Sequence, residues 1–292
     1  MRNIIKLTRP YQWVKNAFIF MPLFFGGAFT DSLALIRAVI AFFAFSFVAS
    51  SIYCYNDIID VEDDRRHSTK CKRPIASGAI SIVMGYVIMA VMVGLSALMV
   101  SLLGNECWKL AGVVGFYFVL EIAYCRVLKR YAIVDVCVLA FGFVLRILAG
   151  SAATGIIASQ WLVLMTFLLT LLLAFAKRRD DVLKMETTGE APRHNTHRYN
   201  MSFINQSITV TASVTLVCYI MYTMSPEVTS RTNFSYVYLT TIFVILGLLR
   251  YMQRTLVDQK TGDPSKLLYE DRFLQIVIAM WLLVYVLIIY IL

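Results

Sequence analysis

The chain has 292 residues, 59% of them hydrophobic and only 15% charged, with a formal net charge of +9 and a mean hydropathy of +0.71. So apolar a composition excludes a soluble globular domain and a disordered chain. A basic face over anionic lipid accounts for the charge without nucleic acid, and six cysteines without a CxxC pair indicate neither a disulfide framework nor a metal cluster.

Nearly uncharged runs of about twenty residues recur along the chain. Each is long enough, as a helix, to cross a hydrocarbon core of about 30 Å, and none alternates as a strand would. The predicted spans are roughly 14 to 30, 34 to 55, 80 to 103, 108 to 128, 132 to 154, 159 to 176, 207 to 225, 234 to 251 and 273 to 292. The first carries Pro22, Gly26 and Gly27 behind a basic leader with Lys6, Arg9 and Lys15; no small-residue cleavage pattern follows, so it reads as an uncleaved span. Of 27 Lys and Arg residues, all but Arg37, Lys109, Arg146 and Arg231 fall in segments on one side of these spans. Because Lys and Arg accumulate in cytoplasmic loops, the pattern predicts an all-α polytopic bundle of nine transmembrane helices with the N-terminus cytoplasmic. One integral-membrane domain fills 1–292. The three longest connections, 56 to 79, 177 to 206 and 252 to 272, are all cytoplasmic and place the working face there.

The first long connection reads NDIIDVEDDRRHSTKCKRPIASG over 56 to 78. Asn56, Asp60 and Asp64 stand at i, i+4 and i+8, with Asp57 three residues before Asp60. A helix continuing from the second span therefore gathers all four on one face. Like charges at that spacing repel, and carboxylates at a membrane boundary lose hydration. Mg²⁺ removes both penalties, because it takes a few carboxylate oxygens and completes its shell with water and phosphate oxygens. Glu62 and Asp63 point elsewhere, and the bases that follow, Arg66, Lys72 and Arg73 among them, suit an anion.

Polar residues inside or at the ends of later spans add to this. Asp135 and Arg146 share a helix face about 16 Å apart along the axis, too far for a direct pair. Each costs about 2.5 to 3.5 kcal/mol near a helix centre, so each is expected to face a polar cavity. Lys15 with Asn16, Tyr124 with Lys129, and Lys177 with Arg178 sit at cytoplasmic span ends, where snorkelling to lipid phosphate is the plain alternative for each base. AFAKRRDDVLKM, after the sixth span, is dominated by Lys177, Arg178 and Arg179; its acids Asp180 and Asp181 are adjacent and about 100° apart on a helix. That segment suits an anion. His67, His194 and His197 show no metal-ligand spacing.

NDxxDxxxD followed by KxRP resembles the first aspartate motif of the UbiA-type intramembrane prenyltransferases. The resemblance implies nine helices around a polar cavity and a diphosphate held through Mg²⁺ by Asn56, Asp57, Asp60 and Asp64, with Asp57, Asp60 and Asp64 catalytic. Members that act on aromatic acceptors carry a second motif, DxxxD, after the sixth span, and this chain lacks it. RPYQWVKN at 9 to 16, YCRVLKRYAIVD at 124 to 135, RILAG at 146 to 150 and GDPSKLLYEDRFLQ at 262 to 275 resemble one branch, the decaprenyl-phosphate phosphoribosyltransferases. That branch implies 5-phosphoribosyl 1-diphosphate (PRPP) as donor, a polyprenyl phosphate as acceptor, and a multi-pass enzyme of the cytoplasmic membrane working in cell-envelope synthesis. Lys15, Asn16, Arg66, Lys72, Arg73, Tyr124, Lys129, Asp135, Arg146, Lys177 and Arg178 would then bind substrate, Asp135 at the ribose hydroxyls or against Lys129. The alternatives are prenyl transfer from a prenyl diphosphate to an aromatic or other small acceptor, and a transporter. Against the latter stand the acid cluster at one mouth of the bundle and the lack of an inverted repeat.

Overall fold

The computed structural model describes residues 2–67, 69–104, 107–193, 195–232, 236–258, 267 and 270–290, which form helices and connecting turns without a strand. In chain order the α-helices are α1 (Arg2–Thr8), α2 (Met21–Phe25), α3 (Ser32–Ile59), α4 (Val61–Arg66), α5 (Ile82–Ser101), α6 (Cys107–Arg126), α7 (Val134–Thr154), α8 (Gln160–Thr188), α9 (Met201–Thr223), α10 (Pro226–Thr232), α11 (Thr241–Met252) and α12 (Arg272–Tyr290). Seven of them, α3, α5, α6, α7, α8, α9 and α12, are long and apolar enough to cross a membrane.

The other two expected spans are broken. Residues Pro10–Phe20 wind as a 3₁₀-helix entered at Arg9 in the left-handed region (φ 49°), and only Met21–Phe25 is α-helical before Gly27 turns the chain at φ 68°. The sequence reason is the pair Pro10 and Pro22 with Gly26 and Gly27, which interrupt the backbone ladder of a continuous helix. Near 234 to 251, a 3₁₀ turn (Val237–Thr240) precedes the 12-residue α11. The sixth span differs in the opposite sense. It was expected to end near 176, yet α8 runs on to Thr188, where Gly189 closes it at φ 75°. KRRDDVLKM is thus helix and not loop, since good helix formers and the Arg178–Asp181 i,i+3 pair support it.

The chain divides into two compact units, residues 1–129 with 142–158, and residues 130–141 with 159–292. In the first, α3 packs along α5 and against α6 and the Pro10–Phe20 segment. Its buried face is rich in small residues, Ala34, Ala38, Ala41 and Ala44. Between membrane helices close approach and interhelical hydrogen bonds hold the contact, and Ser96 Oγ donates to the Ala44 carbonyl at 2.8 Å. Gly150 in RILAG meets the same requirement, for a Cβ there would fall 2.0 Å from the Ile19 carbonyl oxygen. In the second unit α8 packs along α9, with Leu172, Phe175 and Ala176 against Ile204, Ile208 and Ala212. Large apolar side chains stay exposed on the spans, such as Val83 and Val91 on α5 and Leu283 on α12, as lipid-facing positions require. Among the described residues no cysteine is in a disulfide.

Candidate active site

In the first unit, α3 ends one residue short of Asp60, and α4 begins one residue after it. The helical register survives the break, because the Asp60 amide donates to the Asn56 carbonyl at 3.0 Å and the Asp64 amide to the Asp60 carbonyl at 2.8 Å. Asp57 and Asp64 are buried (1% and 3% exposed), while Asn56 and Asp60 are half-buried. The expected acid face forms, and cations thread it. Arg73 Nη1 bridges Asp57 Oδ1 at 3.2 Å and Asp64 Oδ2 at 2.7 Å, Arg9 Nη2 pairs with the same Asp57 Oδ1, and Lys129 Nζ pairs with Asp60 Oδ1. Arg9 also lies 5.0 Å from the Tyr53 ring centre. Two buried carboxylates so close repel unless a cation lies between them, and Arg73 supplies it.

Among the described residues no three His, Cys, Asp or Glu side chains are gathered as a ready metal cage. The acids do retain one feature that suits Mg²⁺: Asp57 Oδ2 is buried without a hydrogen-bond partner. An orphaned carboxylate oxygen beside other carboxylates is the hard donor a divalent cation takes. Arg66 and Lys72 are exposed at the same connection. Glu62 is exposed and pairs with Arg65 at 2.9 Å, a surface pair of little energetic weight.

The residues expected deeper in the first unit are occupied elsewhere. Asn16 is 1% exposed; its amide nitrogen donates to Ser46 Oγ at 2.8 Å and its oxygen accepts from Arg146 Nε at 2.8 Å. Arg146 further donates to the Gly142 carbonyl at 2.6 Å and is caged by the rings of Phe45, Tyr117 and Phe143 at 4.9, 5.3 and 5.1 Å. It was expected to face a polar cavity and meets aromatic faces instead, which offset the burial of its charge. Glu121 and Arg146 both reach the space left by the missing Cβ of Gly142. Tyr124 packs beside Tyr55 and Cys125, and Lys15 is half-buried.

The second unit holds a separate ion network. Asp135 accepts from Arg178 Nε at 2.8 Å and from the Tyr199 hydroxyl at 2.9 Å, and that hydroxyl accepts from the Ile133 amide at 2.7 Å. Asp181 is shared by Arg178 (2.9 Å) and Arg193 (3.0 Å). Arg179 reaches Asn205 Oδ1 at 3.1 Å and the Leu256 carbonyl at 3.3 Å. Burial raises the Tyr199 hydroxyl above the ordinary phenol range, which keeps it a donor to Asp135. Asp135 is 1% exposed, and Arg178, expected at an anion, pairs with Asp135 and Asp181. Lys177 on the same helix is exposed. Asp135 and Arg146 each have partners within their own unit.

Three participants escaped the sequence reading. Arg9 stands inside the quoted RPYQWVKN but shows no sign of its partner 48 residues away. Tyr199 and Arg193 lie in a polar stretch without periodicity. Half of the segment 262 to 275 falls outside the described residues, as does His194.

Known proteins supply a frame for this geometry. Residues 17–283 match the model of the UbiA prenyltransferase family. The chain is 33% identical to a decaprenyl-phosphate phosphoribosyltransferase of Corynebacterium glutamicum, over 99% of this chain and 87% of that one. It is likewise 33% identical to the protein of the same name from Mycolicibacterium smegmatis, over 96% and 90%. Among solved structures, a UbiA homologue from Archaeoglobus fulgidus bound to DMAPP and Mg²⁺ superposes with a TM-score of 0.73 at 16% identity, covering 99% of this chain and all of that one. With its apolar helices and its NDxxDxxxD segment, this chain belongs to the UbiA prenyltransferase family and is a multi-pass membrane protein.

Proposed function

We propose that the protein transfers the 5-phosphoribosyl group of PRPP to a polyprenyl phosphate and releases diphosphate. The observation that carries this is the 33% identity to a decaprenyl-phosphate phosphoribosyltransferase along 99% of the chain. Site chemistry supports it, since Asp181, where a second diphosphate-binding acid motif would stand, is occupied by Arg178 and Arg193.

In this reading an ionised oxygen of the lipid phosphate attacks C1 of the ribose, the C1–O bond to diphosphate breaks, and the electron pair leaves with the diphosphate. One displacement inverts C1. No general base is needed, because the nucleophile is already an anion. Asp57, Asp60 and Asp64, with Asn56, would hold Mg²⁺, which when bound neutralises the leaving diphosphate. Arg73, Lys129 and Arg9 offset the repulsion among the acids by pairing with them and are placed to take phosphate oxygens; Arg66, Lys72, Lys15, Lys177 and Tyr124 would complete the phosphate contacts. Asn16, Arg146, Asp135 and Arg178 act as internal supports that fix helix positions. The basic segments also support nine membrane crossings, a cytoplasmic N-terminus and a cytoplasmic-face site in the cell membrane.

The test incubates purified protein, Mg²⁺ and polyprenyl phosphate with PRPP labelled in the ribose, beside a prenyl diphosphate with an aromatic acceptor. Labelled lipid in the first mixture is the expected result. Product only in the second would transfer the protein to the prenyl-transfer branch.

A further inference from the structure

The second unit contains a cavity of about 730 Å³ that the reaction above does not use. Its walls come from Arg130, Tyr131 and Ala132 and from Arg193, His197 and Arg198, and among the described residues no carboxylate lines it. The volume lies within the usual range for small-molecule sites. Among the described residues the side chains of Arg130, His197 and Arg198 have no ion-pair or hydrogen-bond partner. Arg193 spends only Nε on Asp181, leaving Nη1 and Nη2 available. Three other arginines of this unit pair with acids, Arg178 with Asp135 and Asp181 and Arg250 and Arg254 with Asp271. Arg130 and Arg198, which line one cavity without such a pair, differ from these three.

The walls are also built at a conformational cost. Ile133, next to the Arg130–Ala132 wall, has φ +68°, a region a β-branched residue avoids. It is pinned there by the Tyr199 hydroxyl, which accepts a hydrogen bond from its amide at 2.7 Å and donates one to Asp135 at 2.9 Å. Tyr199 directly follows Arg198, so one clamp ties both walls of the cavity. Strain that the surroundings over-determine in this way is a mark of functional sites.

We propose that this cavity is an anion site for a phosphate monoester, held by Arg130, Arg193 and Arg198. Planar guanidinium forks match phosphate oxygens two at a time, which makes arginine the appropriate residue for such a ligand. The phosphoryl group can arrive on a soluble phosphosugar or on a lipid headgroup, and the two sources are separable. The full chain in phosphatidylcholine nanodiscs is treated with phenylglyoxal, and modification of Arg130 and Arg198 is read by peptide mass spectrometry. Protection by ribose 5-phosphate assigns the site to a soluble phosphosugar; protection only when polyprenyl phosphate is present in the nanodisc assigns it to the headgroup. In either case the double variant Arg130→Gln/Arg198→Gln weakens binding of the protecting probe at least ten-fold, whereas Lys184→Gln, exposed and outside the cavity, leaves it unchanged. Equal modification of both arginines with and without each probe overturns the proposal, and so does a double variant that binds within two-fold of wild type. Both arginines are exposed, so unchanged thermal unfolding serves as the folding control. The site stands on the second unit's own geometry and does not depend on which reaction the acid cluster supports.

Discussion

The two units each join Asp to Arg, and they do so to opposite ends. In the first, the cations of the acid cluster remain partly accessible, with Arg9, Arg73 and Lys129 side chains 17%, 25% and 26% exposed, and Asp57 keeps an unpartnered oxygen. In the second, Arg178 and Asp135 side chains are 1% and 2% exposed and face each other at 2.8 Å. Accessible cations beside an under-coordinated acid can be exchanged for a metal ion and phosphate. A fully buried pair cannot exchange without leaving a charge stranded. One arrangement suits chemistry and the other suits construction, although their residue types are the same.

The largest expected effect breaks the structural half of this contrast. Arg178→Met leaves Asp135 and Asp181 buried without their shared cation and should cost about 3–5 kcal/mol in detergent unfolding. Stability within about 1 kcal/mol of wild type would show that the second network is not structural. In the first unit, Asp57→Asn should lower Mg²⁺-dependent turnover roughly 100-fold or more while the unfolding midpoint stays near wild type; near-normal turnover would remove Asp57 from the site. Arg9→Gln should behave as an intermediate. It weakens diphosphate binding, measured by calorimetry, by about ten-fold, with a smaller stability loss than Arg178→Met because Asp57 keeps Arg73 as a second cation. A large stability loss with unaltered binding would move Arg9 to the structural class.

The smallest effect concerns pH. The Arg250 hydrogen bond holds the Asp271 carboxyl below the ordinary carboxylate range, against the opposing effect of burial. Its folded value is therefore lower than the unfolded one of about 3.9. The contribution is present above the unfolded value and disappears as pH falls through the folded one. Asp271→Asn should accordingly destabilise the protein at neutral pH and converge with wild type in strong acid. Asn preserves an acceptor for the Leu274 amide, now 2.9 Å from Asp271 Oδ1, so the difference isolates the charge. A gap independent of pH would show that the Arg250 contact is not electrostatic.

Much of the fold was legible because it rests on local pattern. Apolar runs located all seven long helices, and the i, i+4, i+8 spacing of Asn56, Asp60 and Asp64 placed them in one helical register that a break at Asp60 does not disturb. The misjudged segments are those where local signals compete. Prolines and glycines divided the run at 14 to 30, and helix-favouring charged residues carried α8 past the point where hydropathy falls. Site partners were illegible for another reason. Arg9 meets Asp57 across 48 positions and Arg178 meets Asp135 across 43, and no periodicity connects residues so far apart.

The sequence by itself determined a helical membrane protein, the place of its acid cluster and the kinship of its motifs, because hydropathy and helical period act over one or two turns. Only the tertiary structure decided which charges are free. Asp135, Arg146, Asn16 and Arg178 read as ligands in one dimension, yet in three they are consumed by one another or by aromatic rings and backbone. Arg130 and Arg198, unremarked along the chain, line a cavity instead. A buried charge must be satisfied by whatever the fold brings near it, and that neighbour is a property of packing and not of order along the chain.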